Sequence, residues 1–553
     1  MNHVSLAGGR IDEVADAESA HRICQEPRRG WETWWQWGSE RLNPILIKEV
    51  RQSLKSRQFE ISFGLTLLAA IGWTFIYVAM SVPRIYYMPG GMQLLTGYAI
   101  ILLMPLLVVI PFAAFRSLTS EIEESTYELL SISNLSAKQI VTGKMATAAL
   151  QILLYVSALA PCIVLTYLLR GVSLLAIMLL LAGAVAYAVM LVSAALVLAT
   201  VARSRSGQSG MSVLLLTLLV ISLLISITSM ASGGVDEVLR VSPPRETFLV
   251  LFAAFTILYA LFSLLMQTAA AAIDFASENK STPIRWRLLL LLGVILFWLI
   301  LMTCAVGESA ADFAGETYEY FLVGFFLVWM AIGGVMCGER GVIAPRARRT
   351  LPKTFAGRVL LTWMGPGAGL GYIFQVAVFA SVAILLSVIA SYLTSASMRS
   401  TYRLREVSIF GFLLTCYFTF YVGLCRLGIL AIGRRISSPK VASFSLLVVL
   451  LLFLQLVPYF LAVYWNDFSS LSYGWHQTFN IPLTLQTVGS NSWYAYLGNL
   501  IVLALAALAV FGLNLMLSTK DVMIVRLAAP LRVREEREPL VKEPAVDTDP
   551  FLA

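Results

Sequence analysis

Residues 116–144 read RSLTSEIEESTYELLSISNLSAKQIVTGK. This polar interval lies between two long apolar runs, 93–115 and 145–168. Each run is near the length that crosses a bilayer as a helix, about 20 residues. The interval itself is punctuated like a folded element. Ser120 and Glu123 stand in capping-box spacing, and Glu121, Glu123 and Glu124 crowd the first turn that follows. Carboxylates there suit the positive end of a helix dipole. The pattern predicts a short helix over Glu121–Ile132, a break at Ser133, Asn134 and Leu135, and a second capping box at Ser136 and Gln139. That box opens the next helix, which enters the membrane at Met145. The alternative is an ordinary connecting loop.

The rest of the chain repeats this alternation. It is 58% apolar and 13% charged over 553 residues, with a mean hydropathy of +0.80. The apolar excess falls into twelve runs: 61–81, 93–115, 145–168, 172–201, 211–230, 248–273, 288–306, 320–337, 371–393, 407–432, 444–466 and 494–517. The expected fold is therefore an all-α polytopic membrane protein of about twelve spans in two six-helix halves. The halves share an outline but no residue-level repeat. The net charge of +8 does not point to nucleic acid, because the basic residues sit at the ends of apolar runs. With the N-terminus inside, the inner segments carry 26 Lys and Arg and the outer loops seven. This asymmetry argues for both termini in the cytoplasm. The outer segment 394–406 dissents mildly with Arg399, Arg403 and Arg405. A missed or extra span is most expected near there.

Flanking segments have their own character. Residues 1–40 form a polar tail ending in WETWWQW; Trp31, Trp34, Trp35 and Trp37 suit a headgroup boundary or packing against the protein's own polar face. The polar stretch before the first span predicts no cleavable signal. In residues 41–60, Asn43–Pro44 marks a helix start. Ile47, Val50 and Leu54 make an apolar stripe, beside a basic one of Lys48, Arg51 and Lys55. That is an amphipathic helix for an anionic membrane face. Residues 526–553 are charged and Pro-containing, and disorder is expected. The loop 338–369 carries six basic residues and one acid, and lacks the Glu-rich opening of 116–144. It is either topology charge or a second, degenerate docking surface.

EIEESTYELLSISNLSAKQIVTGK resembles the first cytoplasmic loop of ABC-2 type permeases, the membrane subunits of one class of ATP-driven transporter. The matching positions are Glu121, Glu124, Thr126, Glu128, Leu129, Leu130, Ser136, Ile140, Gly143 and Lys144. Ser125 stands where a Gly is usual and Asn134 where a Pro is usual. The resemblance covers residues 41–275. Residues 61–275 then form the family-like half, with 116–144 as its coupling loop, and 276–525 a second half, intact or degenerate. The resemblance implies that this loop docks in a groove of a separate ATP-binding subunit. Ser120, Glu121, Glu123, Glu124, Thr126, Glu128, Leu129, Leu130, Ser136 and Lys144 would make or order the contact. It also implies export, the cytoplasmic (inner) membrane of a bacterium, and a monomer or a second permease copy as partner.

What is missing narrows the chemistry. The spans hold no Asp or Glu well away from their ends, so proton coupling fits poorly. Arg426 lies eight residues before Arg434, roughly 12 Å along a helix, and is read as snorkelling to the inner interface or as marking the end of its span. No phosphate loop occurs: Gly143–Lys144 is followed by Met145, and Lys138 stands where its first Gly belongs. ATP would thus bind the partner, with no cofactor on this chain. The six Cys show no metal spacing, there are three His, and His476 beside Trp475 reads as structural or interfacial. No protease or hydrolase constellation is present, so the chain is read as a transport subunit rather than an enzyme. The competing readings are a secondary transporter or channel, and a non-transporting membrane scaffold.

Overall fold

The computed structural model describes residues 44–83, 87–123, 136–201, 205–232, 244–274, 279–305, 310–339, 363–395, 401–433, 439–465, 473–490 and 496–526. Fourteen helices account for most of them: α1 Pro44–Leu54, α2 Arg57–Ser81, α3 Gly91–Glu123, α4 Ala137–Leu168, α5 Leu174–Ala199, α6 Arg205–Ala231 and α7 Pro244–Ile273, then α8 Ser281–Ala305, α9 Ala310–Cys337, α10 Ala368–Ser395, α11 Thr401–Ile432, α12 Pro439–Trp465, α13 Ile481–Ser490 and α14 Leu497–Arg526. Twelve of these, all but α1 and α13, are long and apolar enough to cross a membrane. No strand occurs among the described residues. The all-α polytopic expectation holds, and among the described residues no span is missing or added near 394–406. Residues 401–406 begin α11 rather than forming a loop.

The chain divides into two compact units. The first comprises residues 1–249 and 268–273, the second 250–267 and 274–553. Most of α7 therefore clusters with the second unit, whereas sequence outline placed it in the first half. Trp298 Nε1 on α8 donates to Thr256 Oγ1 on α7 at 2.8 Å, and Phe252 meets the Trp298 ring edge-on at 5.8 Å.

In the first unit α3 is central and touches α2, α4, α5 and α6. It is not uniform. Pro105 has no N–H to donate, and residues Pro105–Val109 widen into a π turn. In the second unit α11 plays the central part, against α9, α10, α12, α13 and α14. These are the two most buried spans. Close approach at α11 needs small residues. A Cβ on Gly423 would lie 2.4 Å from Val510 Cγ1 of α14.

Tyrosine hydroxyls deep inside the units are matched. Tyr98 shares a hydrogen bond with Thr74 at 2.6 Å, Tyr155 with Ser62 at 2.7 Å and Tyr318 with Thr303 at 2.7 Å. Tyr372 donates to the Thr419 carbonyl at 2.9 Å. Without water to bind, an unmatched hydroxyl would cost several kcal/mol. The interval between the apolar runs 444–466 and 494–517 is tucked into the second unit. Tyr417 and Tyr421 of α11 donate to the carbonyls of Thr478 and Phe479 at 2.6 and 2.7 Å. Asn480 Nδ2 donates to Gln455 O at 3.0 Å, and Gln477, Thr478, Asn480 and Thr484 are buried. The double variant Tyr417→Phe/Tyr421→Phe leaves two buried carbonyls without these donors. Its stability should fall by about 2–5 kcal/mol, read as a lower melting temperature and as new protease cleavage within 473–490.

Candidate functional site

The helix α1 lies on α4 and presents two faces. Lys48, Arg51 and Lys55 are exposed, while Ile47, Val50 and Leu54 are half-buried, as an amphipathic surface helix requires. The expected helix over 41–60 is two elements. α1 ends at Leu54, and Ser56 caps α2 by accepting from Phe59 N at 3.2 Å. Glu49 turns inward with the apolar side.

The second capping box is present. Ser136 Oγ accepts from Gln139 N at 3.3 Å, and Gln139 Oε1 accepts from Ser136 N at 2.8 Å. It fixes where α4 starts, and hence which face Ile140 and Lys144, one turn apart, present to α3. The first expected box is absent. Ser120 lies inside α3 and its Oγ donates to Ser117 O at 3.2 Å, so the helix runs through to Glu123 without a new start. Burial of Leu118 and Thr119 carries the helix past the position where polar punctuation suggested a boundary.

Lys144 is 2% exposed. Its ammonium contacts Glu49 Oε1 of α1, lies 3.0 Å from Glu121 Oε1, and donates to Ser117 Oγ at 2.7 Å and to Ser117 O at 3.2 Å. Ser117 Oγ in turn donates to Glu49 Oε2 at 3.4 Å. A lysine has three N–H donors, and here they reach α1 and α3. The cluster ties the surface helix, the end of α3 and the start of α4 at one point. Of the proposed docking residues, Ser120, Glu123 and Ser136 are exposed, whereas Glu121 and Lys144 face each other inside this cluster. Glu124, Thr126, Glu128, Leu129 and Leu130 lie outside the described residues, as do the predicted break at 133–135, the N-terminal tail 1–40 and residues 527–553. Most of the loop 338–369 is also outside.

Glu49 falls in the Lys48–Arg51 run and was not read as a charge with a buried partner, yet a signal exists. It shares a helical face with Leu46, Val50 and Ser53, and a carboxylate on such a half-buried face implies a buried partner.

The second unit has its own buried cations. Arg285, which the sequence places among flanking charges, lies inside α8 and is 0% exposed. It bonds Glu339 Oε2 at 2.6 Å, Trp363 O at 2.7 Å and Gly365 O at 2.5 Å. Arg426 does not snorkel. It is 1% exposed and donates to Asn514 O at 2.9 Å, Asn514 Oδ1 at 3.0 Å and Ser518 Oγ at 2.9 Å. Polar groups on α14 reach the guanidinium within the bundle, so it has no need to extend to an interface. Among the described residues no group of His, Cys, Asp and Glu could hold a metal ion.

No protein-family model, no curated protein and no solved structure matches this chain. The fold defines the class, a polytopic helical membrane protein with, among the described residues, twelve helices long and apolar enough to cross a membrane. Within it, the cluster of Glu49, Ser117, Glu121 and Lys144 is the best-defined ionic site of the first unit.

Removing the ammonium strands two carboxylates. Lys144→Met should destabilise the protein by about 3–5 kcal/mol, the usual cost of breaking a buried pair from one side. The triple variant Glu49→Gln/Glu121→Gln/Lys144→Met should recover most of it. Thermal melts of the purified protein in detergent compare the two.

Proposed function

We propose that this chain is the permease subunit of an ABC-2 type ATP-driven exporter in a bacterial cytoplasmic membrane, with both termini inside. A separate ATP-binding subunit would dock on the segment between α3 and α4. The observation that carries this reading is the junction at Lys144. The lysine that closes the Ser136–Lys144 part of the motif is also the group that binds α1 and α3. A force applied to the connecting segment therefore reaches α1, α3 and α4 together, because a buried multi-partner ion cluster does not stretch gradually. Exposed Glu123 and Ser136 flank that segment and are accessible to a partner's surface. The positive-inside asymmetry supports a cytoplasmic position for the same end, where ATP is.

The chain is purified from its native membrane, and co-purifying proteins are identified. An ATP-binding-cassette protein is expected. Glu123→Arg/Glu128→Arg should cut the permease-stimulated ATPase rate about tenfold, equivalent to about 1.4 kcal/mol. The melting temperature of the single variant Glu123→Arg should stay unchanged, since Glu123 is exposed and outside the Lys144 cluster. Full stimulated turnover by the double variant, or solute movement by the chain alone, would overturn the reading.

A further inference from the structure

A cleft of about 990 Å³ opens in the first unit between α1, α2, α3, α4 and α6. Its size is at the upper end of small-molecule sites, roughly 300–1,000 Å³. The Lys144 cluster forms part of one wall. Three features of the rest of the lining point to a ligand.

The first is Gln208, near the start of α6. It is 5% exposed and borders the cleft, yet neither its Nε2 nor its Oε1 has a hydrogen-bond partner among the described residues. A buried amide both donates and accepts, and leaving both functions unmet is unfavourable. Gln375 of the second unit is similarly unmatched, but its Oε1 lies only 3.2 Å from where a Cβ on Gly333 would stand, in close packing. Gln208 has the 990 Å³ cleft in front of it.

The second is charge. The lining carries three cations, Lys48, Arg116 and Lys144, and three carboxylates, Glu49, Glu121 and Glu123. There is no surplus of either sign to select an ion. A phosphate or carboxylate ligand would satisfy Nε2 and leave Oε1 unmet; an ammonium would do the reverse. Hydroxyls satisfy both.

The third is the apolar continuation of the cleft. Phe59, Val109, Ile110 and Ala114 extend the wall away from the polar end. Val109 closes the π turn of α3, and such turns frequently mark functional sites. The flanking helices α2 and α6 expose Leu65, Leu68, Val213 and Leu214, as helices bathed in lipid do.

We propose that this cleft binds the uncharged, hydroxyl-rich head group of an amphiphile, a glycosyl or polyol lipid, with Gln208 both donating to and accepting from its hydroxyls. As a statement about exported cargo this rests on the transporter reading; as a binding site it does not, and its test contains no ATPase.

The protein is reconstituted in phosphatidylcholine nanodiscs doped at equal mole fraction with monoglucosyl diacylglycerol, phosphatidylglycerol or unsubstituted diacylglycerol. Retained lipid is counted by native mass spectrometry. The glucosyl lipid should be retained about tenfold over the other two, a difference of one decade in affinity. Gln208→Leu should abolish that preference without lowering the melting temperature, because it removes an unmatched amide. Equal retention of the three lipids by the wild-type protein overturns the proposal and requires no variant. So does undiminished preference in Gln208→Leu. Displacement of the glucosyl lipid by free methyl glucoside would also overturn it, by reassigning the cleft to a soluble sugar.

Discussion

Inside hydrocarbon a polar group has only the protein to bind, and that constraint organises both units. It explains why six buried tyrosine hydroxyls each have a partner, three on side-chain hydroxyls and three on backbone carbonyls. It explains why Arg426 is met by an asparagine and a serine from α14. It also gives the segment 473–490 its place, since carbonyls turned into the second unit require donors, and α11 supplies them from Tyr417 and Tyr421. Apolar packing sets which faces meet. Hydrogen bonding then decides which of the apolar arrangements is tolerated.

Against that background the charged clusters are costly arrangements whose charges must be met by partners. Desolvating an ammonium or guanidinium is offset only when its donors are filled with good geometry. Lys144 meets this with two carboxylates and Ser117; Arg285 meets it at its terminal nitrogens, with Glu339 and two carbonyls, while its buried Nε has no partner among the described residues. Such clusters hold elements in one register rather than adding much stability. For α1 the consequence is direct. A short helix that would otherwise slide on the bilayer surface is pinned to the start of α4 through Glu49.

The architecture was largely legible in the sequence, because a run of about 20 apolar residues has few alternatives. All twelve spans were found that way, and Ser136–Gln139 was readable because a capping box is a local signal. Errors arose where tertiary contacts override local chemistry. Ser120 and Glu123 have capping spacing, but burial of their neighbours continues α3 through them. Arg285 and Arg426 read as flanking or snorkelling charges because their partners, Glu339, Asn514 and Ser518, are distant in sequence. The loop before the last span gave no hint of its burial, since its anchors are backbone carbonyls, which every residue has. Of the candidate site, Lys144 and Glu121 were singled out, but not that they face one another; that Glu49 turns inward to meet them was not read, and the cleft needed three dimensions.

The π turn of α3 carries one more consequence. Such a turn is one residue more than a regular helix needs over the same rise, and each residue rotates a helix by roughly 100°. Pro105–Val109 thus acts as a phase shift between the two ends of the span. Deleting a single residue there would let α3 straighten into an ordinary helix. Ser117 and Glu121 would then swing by more than a quarter of a revolution away from Lys144, while every hydropathy profile stayed the same.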